Sequence, residues 1–183
     1  AAYIAYRVFT HVQVRVQAWK DPWSVIDSAG YQITQSLFAI SSGGWFGLGL
    51  FKGRPDDIPF VEADFIFSAI AEELGILIAV CLILICVSCF VMFMNISSGI
   101  SDKFYQLTAF GLGVTYIFQV FLTIGGGSKF IPLTGVTLPL VSYGGSSVLT
   151  TLIMFAIIEG LHIVKQEEEE QKKREERKVR RKK

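Results

Sequence analysis

Nineteen consecutive residues, Ile76 to Met94, carry no charge, and only Ser88 and three cysteines dilute their apolar character. At about 1.5 Å per residue this run spans about 28 Å, close to the roughly 30 Å thickness of a bilayer's hydrocarbon layer. A second uncharged run, residues 104–128, is marked by Gln106 and Gln119. A third, residues 148–164, is shorter and interrupted by Glu159 and His162. Between the second and third, PLTGVTLPLVSYGGSS (132–147) is uncharged yet broken by two prolines and three glycines. That pattern predicts a structured re-entrant or interfacial loop rather than a continuous helix.

Upstream, residues 1–19 read as the end of a membrane helix followed by an amphipathic exit. Arg7, His11 and Arg15 recur every four residues and share one helical face. Trp19 and Trp23 flank Lys20–Asp21–Pro22, as aromatics do at a membrane interface. Residues 20–63 form a long connection punctuated by Pro22, Pro55 and Pro59, with glycines at 43, 44, 47, 49 and 53. Within it, YQITQSLFAI predicts a short amphipathic helix lying along the surface. The glycines do not match G-x-G-x-x-G, which excludes a dinucleotide site and leaves turn geometry and close backbone packing. The resulting map is an all-α polytopic membrane protein. Transmembrane helices fall at 64–96, 104–126 and 147–164, with a turn at 97–103, a loop at 127–146 and a charged tail at 165–183.

Composition sharpens this picture in two places. The chain of 183 residues is 51% hydrophobic and nearly neutral, with a net charge of +1. The balance is uneven, because residues 165–183 hold ten Lys/Arg against six Glu. A basic cluster directly after a span predicts a cytoplasmic tail. Three spans then place the 20–63 connection, Asp64, Lys129 and the 129–147 loop together on the outer side. The tail lacks interleaved aromatics, so no nucleic-acid role follows. Cys81, Cys86 and Cys89 lie inside an apolar run and read as small buried hydrophobes. No Met opens the chain and residue 1 falls in an apolar segment, so the sequence reads as the C-terminal part of a longer protein.

The candidate chemistry centres on PFVEADFIFSAIAEELG (59–75). Asp64 stands where a proline-bearing acidic stretch meets the apolar run. A carboxylate beside apolar surface loses hydration and its pKa rises, which suits a general base, whereas Asp is also a favoured helix N-cap. At about 100° per residue, Glu72 lies about 80° around the helix from Asp64, and Glu73 lies opposite. Glu72 is therefore the cavity candidate, and Glu73 is expected to pair with a neighbouring helix. Lys52, Arg54 and Lys129 are candidate contacts for an anionic group. Ser142, Tyr143, Gly144, Gly145, Ser146 and Ser147 offer N–H groups and hydroxyls beside a helix start, for a phosphate or sugar or simply for capping. Ser142 has no His or Asp partner in view, so a serine hydrolase is unsupported. A divalent ion, Mg or Mn, bridging Asp64 and that anionic group is a further reading.

In this order and spacing, DPW, GYQITQSLFAISSGGWFGLGL, ADFIFSAIAEELG and PLTGVTLPLVSYGGSS resemble the C-terminal part of the SEDS family, the FtsW, RodA and SpoVE proteins. The likeness covers about residues 15–160 and is nearer FtsW or SpoVE. It implies a bundle of ten membrane helices, of which this chain holds the end of the seventh and the eighth to tenth. It implies a multi-pass protein of the bacterial cytoplasmic membrane that polymerises lipid II outside the membrane, in division, sporulation or shape maintenance, with a class B penicillin-binding protein as partner. It gives Asp64 the catalytic place. The chain departs from the family in having Glu62 and Ala63 where His-Thr is common, and Thr123 near a usual Asn. A precursor flippase or a non-enzymatic scaffold is the alternative reading. These residues alone are expected to be inactive.

Overall fold

The computed structural model describes residues 8–182, with the side chains of 175, 176, 179, 181 and 182 outside the description. The expected membrane-helix end at 1–7, including Arg7, lies outside the described residues. Among the described residues five α-helices follow one another: α1 Thr10–Lys20, α2 Tyr31–Gly43, α3 Ile66–Gly99, α4 Lys103–Gly127 and α5 Gly145–Lys182. Short 3-10 turns lie at Trp23–Val25 and Pro55–Asp57. Three helices, α3, α4 and the part of α5 from Gly145 to Arg174, are long and apolar enough to cross a membrane. The chain divides into two compact units, one of residues 1–84 and 118–144, the other of 85–117 and 145–183.

In the first unit, α2 does not rest an apolar face on a surface. Its buried residues are Ile33, Thr34, Ser36, Ala39 and Gly43, while Tyr31 and Phe38 stay exposed. Lipid tails are as apolar as leucine, so membrane helices associate through small residues and interhelical hydrogen bonds rather than through apolar burial. Ser36 shows this directly. Its hydroxyl donates to the Gly127 carbonyl at 2.7 Å and lies 2.6 Å from the Ser68 hydroxyl, tying α2 to α3 and α4. Gly43 passes so near α3 that a Cβ there would collide with the Ala71 carbonyl. A small apolar core, Ala39, Ile58, Val61 and Phe65, with Leu133 packed against it, fixes the entry to α3.

The run expected as one continuous helix is broken at Gly75, where φ is +86° and ψ 169°. Glycine alone enters that region without steric cost. The break frees backbone groups that must find partners away from water, and the loop after α2 supplies them. Ile76 N–H donates to the Gly44 carbonyl (2.9 Å) and Leu77 N–H to the Trp45 carbonyl (3.4 Å). In return, Leu48 and Gly49 N–H donate to the Glu72 and Glu73 carbonyls, both at 2.9 Å. A Cβ at Gly75 would meet Trp45 O at 2.5 Å, and one at Gly47 would collide with the Glu73 carbonyl. The glycine cluster thus serves the close packing expected of it.

In the second unit, Phe93, Tyr116 and Phe155 pack edge to face, with ring centroids 5.1–5.7 Å apart. The turn between α3 and α4 is shorter than expected. Helix α3 continues to Gly99, and Asp102 opens α4 by accepting from Phe104 N–H (2.8 Å) and Tyr105 N–H (3.3 Å), the work of an N-cap carboxylate. The expected short final span and separate tail form one helix of 38 residues, about 57 Å long and nearly twice the hydrocarbon thickness. Its charged half binds the turn: Lys165 Nζ donates to the Asn95 carbonyl (3.0 Å), Lys172 Nζ to Ser101 Oγ (2.9 Å), and Glu168 accepts from Ser101 N–H (2.8 Å).

Candidate functional site: an unpaired carboxylate under a glycine loop

Asp64 is held by what surrounds it in sequence. Its N–H and that of Ala63 both donate to the Phe60 carbonyl at 3.1 Å, closing a turn in which Phe60 takes φ +60°. The next residue, Phe65, is buried in the core of the first unit. The carboxylate between these anchors is half-buried and makes no hydrogen bond among the described residues. It does not cap α3, which begins at Ile66. Since Asp64 precedes the helix, the angular argument that related it to Glu72 and Glu73 does not apply.

Two elements from elsewhere in the chain meet Asp64. Gly135 crosses it with φ +73°, and a Cβ there would lie 3.5 Å from Asp64 Oδ2 and 3.8 and 3.9 Å from the two terminal nitrogens of Arg15. Arg15, on α1, donates from Nη1 to the Leu133 carbonyl at 3.1 Å. Its positive charge is near enough to act on Asp64 without forming an ion pair. Removal from water pushes the Asp64 carboxyl above its ordinary 3.8, and Arg15 opposes that rise. Burial disfavours the ionised form and an adjacent cation favours it; here burial is the larger influence. Arg15 was not among the site residues expected from sequence. The signal was its place on the His11–Arg15 face, but nothing in the sequence joins position 15 to position 64.

The loop over Asp64 is fixed at several points. Lys129 ends α4 in the left-handed region (φ +61°), with Phe130 and Ile131 N–H returning to the Gly125 carbonyl at 2.8 and 3.0 Å. Its own carbonyl accepts from the Trp19 indole at 3.0 Å. Thr123 donates to the Gln119 carbonyl (3.0 Å) and lies 2.8 Å from that of Val136, while Gln119 Nε2 donates to the Thr137 carbonyl (3.0 Å). Ser142 is buried, and its hydroxyl accepts from Leu138 N–H at 2.8 Å, so its hydroxyl serves the loop. Tyr143 N–H donates to the Glu62 carbonyl at 2.7 Å while its ring stands exposed. Gly144 closes this loop. Gly145, Ser146 and Ser147 start α5 in the second unit, where the Ser146 and Ser147 carbonyls accept from the Thr150 and Thr151 hydroxyls at 2.8 Å.

Lys52, Arg54 and Glu72 come together elsewhere in the first unit. They line a cavity of about 300 Å³ with Gln35, Ser42 and Asp57, and Asp64 is not part of its wall. Glu72 is only 6% exposed. Its Oε1 accepts from Arg54 N–H at 3.1 Å, while Oε2 is buried without a partner among the described residues. Glu73, expected to pair with a neighbouring helix, instead accepts from Phe51 N–H at 3.1 Å. The two glutamates thus clasp the 48–54 loop.

Among the described residues no three His, Cys, Asp or Glu side chains converge, so Asp64 would hold Mg²⁺ or Mn²⁺ only as one ligand beside the oxygens of a substrate pyrophosphate.

Membrane-length helices joined by a fitted loop over an unpaired carboxylate define a membrane-embedded, multi-pass protein with its candidate site at the edge of a span. The profile of the FtsW/RodA/SpoVE family, described as cell cycle proteins, matches residues 1–167, and the chain belongs to that family. It is 43% identical over 155 residues to the peptidoglycan glycosyltransferase RodA of Mycobacterium tuberculosis, covering 85% of this chain and 33% of that protein. It is 40% identical over 140 residues to a probable peptidoglycan glycosyltransferase FtsW of Bacillus subtilis, covering 75% and 35%. A probable FtsW of Aliivibrio salmonicida is 39% identical over 142 residues, covering 74% and 35%. The chain thus spans about one third of the length of these relatives. Among them RodA is the more similar, against the expected nearness to FtsW or SpoVE.

Proposed function

We propose that the protein of which these residues form part is a peptidoglycan glycosyltransferase that polymerises lipid II, with Asp64 as general base. The observation that carries this reading is the half-buried Asp64 carboxylate, unpaired and raised in pKa, at the start of the span under the Gly135 loop. The names of the relatives supply the reaction class. A hydroxyl of the incoming sugar attacks the anomeric carbon of the lipid-linked donor. As that bond forms, the hydroxyl proton passes to Asp64 and the bond to pyrophosphate breaks, its electron pair leaving on the phosphate oxygen. A carboxylate whose pKa is lifted toward working pH is a stronger base than an ordinary one. Arg15 helps hold Asp64 ionised, and Lys129 is the candidate contact for the departing pyrophosphate, since Lys52 and Arg54 line a separate cavity of which Asp64 is not part.

This chemistry belongs on the outer side of the cytoplasmic membrane, with the 165–183 tail in the cytoplasm and a class B penicillin-binding protein as partner. The test is lipid II polymerisation by intact protein carrying Asp64→Asn. The variant is expected to insert normally and to lose chain growth by at least about 100-fold, the scale of a positioned general base. Wild-type polymerisation would remove Asp64 from the mechanism. Movement of lipid II across the bilayer without polymer, by the unsubstituted protein, would establish a flippase instead. Labelling of Tyr143→Cys in intact cells by an impermeant maleimide checks the orientation, and a cytosolic position would end the proposal.

A further inference from the structure

The loop that plugs the α3 break carries large apolar side chains outward. Trp45 is 69% exposed, Phe46 83% and Phe51 94%, with Leu50 beside them. Phe51 is held with φ +61° by the clasp from Glu73. A bulky residue in that backbone region is strained, and this one gains no core contact in return. Strain without packing points to a role outside the fold. We propose that residues 45–51 are a lipid anchor, with Trp45, Phe46, Leu50 and Phe51 set in the interfacial layer and upper acyl chains of the leaflet on the Asp64 side.

Three observations favour lipid over a protein groove. The first is continuity. Leu77 N–H bonds to the Trp45 carbonyl, so the loop joins α3 at the level where the exposed apolar residues Leu77, Ile78 and Val80 of its membrane-length run begin. The second is backbone satisfaction, which any segment entering a membrane needs. The N–H groups of Gly47, Leu48, Gly49, Phe51, Lys52 and Arg54 have protein acceptors, whereas those of Trp45, Phe46 and Leu50 have none among the described residues and need the water of the interfacial layer. The third is the order of chemistry along the chain. Exposed aromatics pass directly into Lys52 and Arg54, apolar and aromatic groups suiting the interface and cations suiting the phosphate layer above it.

The test uses full-length protein in liposomes of phosphatidylethanolamine and phosphatidylglycerol, with nitroxide labels at Phe46→Cys, Phe51→Cys and Asp56→Cys in a background free of other cysteines. At 46 and 51, relaxation by oxygen should exceed relaxation by a water-soluble nickel chelate at least about threefold, with the reverse order at 56. Nickel dominance at 46 and 51 would overturn the proposal, and so would shielding from both reagents, which would mean that protein covers the loop. Should the cysteine-free background fail to fold, a benzophenone amino acid at position 46 in otherwise unsubstituted protein gives the same answer. A phospholipid mass adduct after irradiation supports the anchor, and a peptide adduct or none refutes it.

Discussion

Replacing Gly75 by alanine tests the joint on which the first unit depends. At φ +86° and ψ 169°, a region essentially closed to residues with a Cβ, an L-residue costs at least about 1–2 kcal/mol more than glycine. The new methyl also meets the Trp45 carbonyl oxygen at 2.5 Å, so the loop must move or the helix must straighten. Either outcome strains the four backbone bonds that join residues 44, 45, 48 and 49 to residues 72, 73, 76 and 77, each worth about 1 kcal/mol. The backbone cost alone should raise opening of the joint about 5–30-fold. Amide hydrogen exchange on the full-length protein in nanodiscs reads this directly. Exchange at Leu48, Gly49, Ile76 and Leu77 should accelerate by at least that factor, while the Phe93–Tyr116 region stays unchanged. Gly111→Ala is the control, since a Cβ there meets nothing within 4 Å and should gain up to about 1 kcal/mol of helix stability. Wild-type exchange across 44–49 in Gly75→Ala, with unchanged heat resistance, would refute the account of the broken helix.

Other consequences concern the carboxylate and its supports. Because burial raises Asp64 above 3.8 in the folded protein, its contribution to stability is full below 3.8 and is lost as pH climbs through the raised value. The base form predominates only above that value, so polymerisation should show an acid limb there. Arg15→Gln removes the influence that opposes the rise and should shift this limb to higher pH; an unmoved or lowered limb in the rate profile would separate Arg15 from Asp64. Ser36→Ala strands the buried Ser68 hydroxyl and Gly127 carbonyl and should cost about 1–3 kcal/mol, seen as a lower melting temperature in detergent. Lys129→Gly relieves a left-handed backbone worth about 1 kcal/mol while keeping the carbonyl that holds Trp19. Its melting temperature should rise, and its KM for lipid II should rise too if the ammonium meets pyrophosphate.

Sequence alone determined that three helices of membrane length are present and which class they define, and it singled out Asp64 as the candidate site residue. Uncharged runs of membrane length admit little besides helices, and the motifs around 59–75 and 132–147 are local in the chain. Sequence could not show that α3 breaks at Gly75, because an isolated glycine in an apolar run reads equally well as a helix residue; only the Gly44–Gly49 backbone arriving from another segment makes the break affordable. The same limit applies to Glu72 and Glu73, whose carboxylates accept from loop N–H groups rather than from a neighbouring helix. It applies most to Arg15, which reaches Asp64 through the Leu133–Gly135 loop. Periodicity records which face a residue occupies on its own helix, whereas the pKa of a carboxylate depends on charges and exclusion of water brought from distant segments, and those exist only once the chain has packed.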